Sequence, residues 1–152
     1  MIIEIWAKEK YAKNEEAGFV KKLALAGFKT NFLKFSKLYL IEGVYSGTET
    51  SRLAGELLLD AITEAWSVKP RRCAGANIYR VEIWLKNSVT DVVGQSVKEA
   101  VADMGLKAPK RCRFGRCLYV LASSELKLRH AVAKTLMNET VNYCKITTIM
   151  GG

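Results

Sequence analysis

The sequence has little proline, a single histidine and no long apolar run. Its 152 residues include 2 prolines, and 49% of them are hydrophobic, which is typical of a compact fold and excludes a disordered chain. No apolar stretch approaches the roughly 20 residues that cross a bilayer. The beginning of the chain, MIIEIW, lacks the positive flank and the cleavage site of a secretory signal. We therefore expect a cytoplasmic protein with no membrane partner.

Catalytic motifs are missing as well. The sequence has no GxxxxGK[ST] phosphate loop, no GxGxxG and no GxSxG. Glu15 and Glu16 are neighbours that point apart on a helix, so they form no carboxylate pair. His130 lies on a helix flank beside Arg129, where a solvated side chain is more ordinary than a general base. We expect no catalytic residue and no cofactor, and the chain alone should be inert.

The cysteines do not have the spacing of a metal site. Cys73, Cys112, Cys117 and Cys144 form no Cys-x-x-Cys pair, and His130 is far from them in sequence. Zinc ligands usually come as close pairs on short loops, so the spacing favours buried thiols over a metal site. Disulfides are not expected in a cytosolic chain outside hyperthermophiles.

Acidic residues are outnumbered by basic ones. The 24 Lys and Arg against 15 Asp and Glu give a net charge of +9, which suits nucleic acid, anionic lipid, phosphorylated metabolites or an acidic partner protein. Basic clusters lie at residues 69–72 and 107–116, and a solvated surface is the ordinary explanation for such clusters. The sign of the charge alone does not choose among these classes.

The chain contains an internal repeat. Residues 3–8, IEIWAK, match residues 81–86, VEIWLK, at a spacing of 78. Further matches follow in the same order along both halves, with two extra residues in the second half before the middle pair, and chance does not preserve such an order. These pairs are Gly27 and Gly105, Leu38 and Leu118, and Leu58 and Leu136. The repeat predicts two units, 1–70 and 77–152, joined by a linker at 71–76 that is rich in charge and glycine.

Each unit is expected to have the element order βαββαβ. Ile3 and Ile5 alternate with other residues as in a strand with one buried face, and a helical pattern then stops at Gly27, a residue favoured just past a helix. Leucines and alanines between 53 and 65 predict a second helix. The paired strands are predicted at 30–35 and 38–43, and at 110–114 and 117–122 around a tight turn, Phe114-Gly115-Arg116; the closing strands are predicted at 66–69 and 141–149. The predicted fold class is α+β, two ferredoxin-like units in tandem with antiparallel sheets and the helices on one face.

The alternation places Trp6 and Trp84 on the sheet face away from the helices. Each ring would bury roughly 150–250 Å², so two exposed indoles at equivalent positions are unfavourable in water. We expect both to line a domain or subunit interface. The other interpretation is stacking of a base or sugar, as in sheet-type RNA binders.

The predicted hairpin of the second unit is basic. If it binds a partner, Arg113 and Arg116 suit phosphate or a carboxylate-rich protein surface, because arginine presents a fork of donors to either. The strand 117–121, CLYVL, lacks the paired aromatic residues of an RNA-recognition sheet. The specific signal for RNA is therefore weak.

The second half resembles the PurS family, the small subunit of phosphoribosylformylglycinamidine synthase. The resemblance lies in residues 81–86, VEIWLK, in 91–95, DVVGQ, in 113–116, RFGR, and in 136–138, LMN. The first half is similar to the family at fewer positions, among them residues 4–8, EIWAK.

The resemblance implies a non-catalytic assembly subunit in purine synthesis. Such a subunit joins the ATP-dependent synthetase to the glutaminase, so that ammonia from glutamine reaches formylglycinamide ribonucleotide. Family members are single units that pair through their sheets, so this chain would resemble a covalent dimer, and a homo-oligomer, a dimer of tandem chains, is expected. The interface candidates are Trp6, Trp84, Arg113, Gly115 and Arg116. The alternative is a basic ferredoxin-like module that binds RNA or a phosphorylated ligand.

Overall fold

The computed structural model describes residues 1–149, and the last three residues of the predicted second unit lie outside this range. Strands and helices alternate along most of the chain. The strands are β1 (Ile2–Ala7), β2 (Leu33–Ile41), β3 (Glu64–Ser67), β4 (Ile78–Leu85), β5 (Cys112–Leu121) and β6 (Asn142–Thr148). The helices are α1 (Glu9–Leu25), α2 (Gly47–Arg52), which continues into a π-helical segment (Leu53–Leu58), α3 (Val92–Asp103) and α4 (Glu125–Thr135).

All six strands form one sheet. Their order is β3-β1-β2-β5-β4-β6, and every neighbouring pair is antiparallel. The first half supplies β3-β1-β2 and the second half supplies β6-β4-β5, so the same order runs inward from both edges and meets at β2 and β5. The predicted α+β class with an antiparallel sheet is confirmed.

The register of β2 against β5 is symmetric. Equivalent residues in these strands, such as Leu38 and Leu118, are 118 − 38 = 80 apart. Phe35 pairs with Leu118. The residues equivalent to these two in the opposite halves are Gly115 and Leu38, and they are also paired. A local twofold axis therefore passes through the ladder between two adjacent pairs. These pairs are Ser36 with Cys117 and Lys37 with Arg116.

The helices cover one face of the sheet. Leu23 of α1 and Leu128 of α4 pack against Leu118 of β5, while α3 and the π-helical segment pack over Ile3 and Ile5. Residues of opposite parity form a separate cluster that contains no helical residue among those described. We call this side the open face. Its side chains include Ile2, Glu4, Trp6, Leu38, Arg80, Trp84, Cys117 and Tyr119.

The end of α1 follows the prediction from Gly27. The backbone N–H groups of Gly27 and Phe28 donate to the carbonyl oxygens of Ala24 and Leu23 at 2.9 and 3.1 Å. Gly27 has φ +78°, a conformation that glycine adopts without steric cost. Gly105 ends α3 in the same way at φ +79°.

The two predicted hairpins are not formed. β2 and β5 each run without a break, so each half contributes three strands in the order βαβαβ, and the order βαββαβ is found only from β2 to β5. Gly115 lies in the middle of β5, opposite Trp84. A Cβ atom on Gly115 would be 2.6 Å from Cε3 of Trp84. Glycine is needed at this position for close packing, and it makes no turn.

The second helix of the first half is shorter than predicted. Its π-helical segment ends at Leu58, and Ala65, predicted as helical, lies in β3. β3 accordingly begins two residues before the predicted closing strand, whereas β6 falls within the predicted range 141–149. Helical spacing of alanines was the wrong guide here, because the same residues also fit a short edge strand.

Candidate functional site

A buried ion pair lies at the centre of the open face. Nη1 of Arg80 on β4 donates to Oε1 of Glu4 on β1 at 2.8 Å. Nε of Arg80 donates to Oε2 of Glu82 at 3.1 Å. The exposed fraction is 2% for Glu4 and 7% for Arg80. The ion pair is therefore shielded from water and from screening by salt.

Tyr119 completes the arrangement from β5. Its hydroxyl donates to Oε2 of Glu4 at 2.7 Å, and it accepts from Nη1 of Arg80. We call Glu4, Arg80, Glu82 and Tyr119 the central network. It joins the first half of the chain to the second, because Glu4 belongs to β1 and the other members belong to β4 and β5.

The two carboxylates of the central network occupy equivalent positions of the repeat. Glu4 and Glu82 are 82 − 4 = 78 residues apart, and Arg80 binds both of them. The residue equivalent to Arg80 in the first half is Ile2. Two carboxylates facing one site repel each other when both are ionised, and the guanidinium that lies between them reduces this repulsion by binding both.

The predicted linker crosses the open face and is held there by Arg71. Nη1 of Arg71 donates to the carbonyl oxygen of Phe35 at 3.1 Å and to Oγ of Ser36 at 3.3 Å. Its backbone N–H donates to the hydroxyl of Tyr119 at 3.0 Å. Its guanidinium lies 4.7 Å from the ring centroid of Trp6, a cation–π distance. The linker is thus a packed strap and not a free tether.

Tyr119, Arg80 and the neighbouring Cys117 keep their protons near neutral pH. Burial raises the pKa of Tyr119 and of the neighbouring Cys117, so both keep their protons. Burial acts to lower the pKa of Arg80, but Cys117, Glu4 and Tyr119 around it raise it, so the guanidinium stays charged. No buried side-chain nitrogen or oxygen within residues 1–149 lacks a hydrogen-bond partner. Groups bonded in this way hold the fold together and are not poised to transfer a proton.

A cavity of about 450 Å³ borders the central network on the open face. The charged side chains of Glu4, Arg80 and Glu82 line it together with residues 68–70, which directly precede the strap. The two carboxylates are matched by the cations of Arg80 and Lys69, and the other lining side chains among the described residues are apolar.

The predicted interface tryptophans differ in their environments. Trp84 is 6% exposed within the single chain, packs over Gly115 and donates from Nε1 to Oε1 of Glu82 at 2.9 Å. Trp6 is half-buried beneath Arg71. Trp6 thus leaves part of its ring available for a partner, whereas the ring of Trp84 is used inside the fold.

The two predicted hairpin arginines point to opposite faces of β5 and bond internally. Arg113 is 7% exposed and donates to Oδ1 of Asn87 and to the carbonyl oxygen of Leu85. Nη2 of Arg116 donates to the carbonyl oxygen of Leu136, the residue that caps the end of α4, where a cation also interacts favourably with the helix dipole. Both guanidiniums therefore stabilise neighbouring segments of the backbone, the end of β4 and the end of α4.

The cysteines and the histidine are separate groups. Cys112 and Cys117 are buried, Cys73 and Cys144 are half-buried, and all four are free thiols. His130 is exposed on α4. Across residues 1–149 no three His, Cys, Asp or Glu side chains are grouped closely enough to hold a metal ion. Within the same range, no helix combines the length and the apolar character needed to cross a membrane.

The comparison with known families gives one match, and it lies in the second half. Residues 78–149 match the family model of PurS, described as phosphoribosylformylglycinamidine (FGAM) synthase. The second half of the chain is therefore similar to the PurS family. The matched segment is just under half of the chain and begins at the first residue of β4. No curated protein sequence matches the chain.

The PurS match connects the chain to FGAM synthase and to purine biosynthesis. The matched segment contains Arg80, Glu82 and Tyr119, whereas Glu4 and the strap lie before it. The central network therefore joins the PurS segment to the rest of the chain.

Sequence reasoning missed this network, although two signals pointed to it. Glu4 is a charged residue between Ile3 and Ile5, the two buried isoleucines of β1. Its equivalent, Glu82, repeats the charge in the same setting. A carboxylate that recurs in a buried strand needs a cation nearby.

Proposed function

We propose that the chain is a non-catalytic, cytoplasmic assembly subunit of FGAM synthase that bridges the synthetase and glutaminase subunits. The observation that carries the proposal is the PurS match over residues 78–149. The central network supports it, because its ionisable groups are consumed in bonds between strands and leave no nucleophile beside a base.

We also propose that residues 1–70 are a divergent first PurS-like repeat, that 71–76 are the linker, and that 77–152 are the second PurS-like repeat. The symmetric register of β2 and β5 supports this duplication, as does the equivalence of Glu4 and Glu82. The chain then corresponds to a fused pair of PurS units. A pair of such chains is the proposed oligomer.

The proposed contact with the partner subunits includes the open face around Trp6. The half-buried indole offers apolar area next to the fixed guanidinium of Arg71, and Trp with Arg is a frequent combination at the centre of protein interfaces. Trp84, Arg113 and Gly115 would act there through the shape of the sheet, because their polar groups and contacts are internal. Arg116 lies on the helical face, where it would support the end of α4.

Reconstitution tests the assembly role. Synthetase and glutaminase subunits from the same source are mixed with and without the chain, and FGAM formation is measured with glutamine as the nitrogen donor. We expect the chain to raise the rate severalfold and to co-elute with both subunits, and the chain alone to form no product. With ammonia as the donor the gain should largely disappear, because no transfer between subunits is then required.

A matched pair of aromatic substitutions tests the contact. Trp6→Ala should weaken co-elution, whereas Tyr11→Ala, on the helical side with 46% of its surface exposed, should leave it unchanged. Circular dichroism checks that both variants fold. Neither stimulation nor co-elution of the unmodified chain with either subunit would contradict the assembly role and favour the basic ligand-binding alternative.

A further inference from the structure

A cleft of about 730 Å³ opens between the end of α1 and the beginning of α4. One wall is the turn after α1, which contains Lys29 and Asn31, and the other wall contains Ser123 and Lys127. Thr30 forms part of the base, where Oγ1 donates to the carbonyl oxygen of Leu121 at 2.8 Å. The base is therefore fixed to the end of β5.

The equivalent position in the other half is filled. The residue equivalent to Lys29 is Lys107, 78 positions later, and the hydroxyl of Tyr45 donates to its carbonyl oxygen at 2.8 Å. The ring of Tyr45 also lies against Gly43, the residue equivalent to Ser123 at the spacing of 80 that relates β2 to β5. Tyr45 thus occupies the space that is open beside Lys29.

The difference comes from the length of one connection. The caps of the following helices, Ser46 and Ser124, are 124 − 46 = 78 residues apart, whereas the strands before them are related by 80. The first half therefore carries two more residues before its cap, Val44 and Tyr45. Both serines accept a hydrogen bond from the backbone N–H three residues later, so the two helices begin alike. The difference is the pair Val44 and Tyr45 before the first of these helices.

The two positions also differ in charge. The residue equivalent to Lys127 is Glu49, which closes a capping box with Ser46. The open cleft contains Lys29 and Lys127, and no Asp or Glu lines it within residues 1–149. Neither lysine makes a salt bridge within the described range. One end of the repeat is thus closed and carries one lysine and one glutamate at these positions, whereas the other end is open and carries two lysines.

We propose that this cleft binds the phosphate group of a small phosphorylated metabolite. Lys29 and Lys127 supply ammonium donors from opposite walls, and the side chains of Asn31 and Ser123 supply further hydrogen bonds. The adjoining surface contains Phe28, Leu126 and His130, which gives the rest of the ligand an apolar contact. The site lies on a different part of the chain from the central network and does not depend on the proposed assembly role.

A small ligand fits these observations better than RNA. Single-stranded nucleic acid is usually held by a basic track along the backbone with exposed aromatic rings for stacking. Both lysines line one cleft, and the one phenyl ring among its described lining residues, Phe28, is half-buried. The geometry suits one or two phosphates.

Titration of the full chain tests the proposal without partner subunits. The probes are ribose 5-phosphate, AMP and ribose. Binding of each probe is monitored by the amide chemical shifts of the protein in low-salt buffer. We expect saturable shifts at residues 27–31 and 123–127 with the two phosphorylated probes and none with ribose. Binding should weaken as salt rises, because the contacts are ionic.

Charge-reversal variants locate the site. Lys127→Glu should weaken ribose 5-phosphate binding by about tenfold or more, which is about 1.4 kcal/mol, and Lys29→Glu should do the same. Lys107→Glu, at the equivalent position that Tyr45 fills, is the matched control and should change the affinity less than about twofold. Insertion of Val-Tyr between Ser123 and Ser124 should abolish binding by filling the cleft.

Three results would overturn the proposal. One is a set of chemical-shift changes spread over the whole basic surface. Another is an equal loss of affinity for ribose 5-phosphate in Lys107→Glu and Lys127→Glu. The third is binding of a 12-nucleotide polyuridine with no saturable binding of either small phosphate, which would assign the basic surface to RNA. The reconstitution experiment above uses different subunits and a different readout, so either proposal can fail while the other stands.

Discussion

The carboxylate of Glu4 and the guanidinium of Arg80 are 2.8 Å apart although two strands, β2 and β5, separate the strands that carry them. Three interstrand steps of about 4.8 Å would place their backbones about 14 Å apart in a flat sheet. Both side chains must therefore extend across the open face, and they meet above Tyr119. The pair links the middle strand of one half to the middle strand of the other.

Removing the charge of Glu4 should cost much more stability than removing a surface charge. Glu4→Gln leaves Arg80 buried with one carboxylate, and we expect a loss of about 2–3 kcal/mol in the free energy of unfolding. Arg111→Gln breaks an exposed pair with Glu42 of the same 2.8 Å length and should cost about 0.5 kcal/mol or less. Urea unfolding measures both, and equal losses would contradict a structural role for the central network.

Two glycine substitutions should have opposite effects. Gly115→Ala places a methyl group 2.6 Å from the Trp84 ring and should destabilise the fold by about 1–3 kcal/mol. Gly18→Ala lies within α1 with nothing near its Cβ position and should stabilise by up to about 1 kcal/mol. Thermal unfolding compares them. If Gly115→Ala left the unfolding temperature unchanged, close packing of Trp84 on Gly115 would not be needed for stability.

Stability should fall at alkaline pH. Burial raises the pKa of Cys112 to about 11, and burial also raises the pKa of Tyr119, whereas an unfolded cysteine ionises near a pKa of about 8.5. Above that value the unfolded chain loses protons that the folded chain keeps, so the free energy of unfolding declines as pH rises toward 11. Between pH 8.5 and pH 11 the free energy of unfolding should decline less steeply for Cys112→Ala than for the unmodified chain. Urea unfolding at several pH values measures both. Parallel profiles would show that Cys112 does not contribute.

Thiol labelling should separate the cysteines into two classes. Cys112 and Cys117 are buried, and Cys73 and Cys144 are half-buried. With iodoacetamide near pH 8 we expect labelling at Cys73 and Cys144 first, and at the other two only on unfolding, because a buried thiol with a raised pKa offers little thiolate. Mass spectrometry of peptides gives the order. Early labelling of Cys117 would indicate that β5 opens locally.

Local patterns in the sequence predicted the elements that local chemistry determines. The alternation of Ile3 and Ile5 predicted β1, and Gly27 predicted the end of α1, because each depends on neighbours a few residues away. Gly115 was interpreted as a turn because the sequence alone carries no sign of the indole that packs on it. Trp84 is 31 residues away along the chain, as 115 − 84 shows, so the contact is a product of strand pairing.

The site was harder to predict than the fold. Arg113 and Arg116 looked like a basic surface, and strand parity with a continuous β5 places them on opposite faces instead. The pairing of Glu4 with Arg80 requires the order of four strands, which no periodicity encodes. The cleft beside Lys29 depends on the absence of two residues, a signal visible only once the halves are aligned on Ser46 and Ser124.

The local axis between β2 and β5 also has a consequence for how this protein can change. In a dimer of identical chains every substitution appears twice, on both sides of the axis, because one gene encodes both copies. Here the positions on the two sides are encoded separately, so Tyr45 can close one end while the other end stays open. One gene product can therefore carry two unlike ends in a fixed ratio of one to one, a ratio that free exchange of subunits would not preserve.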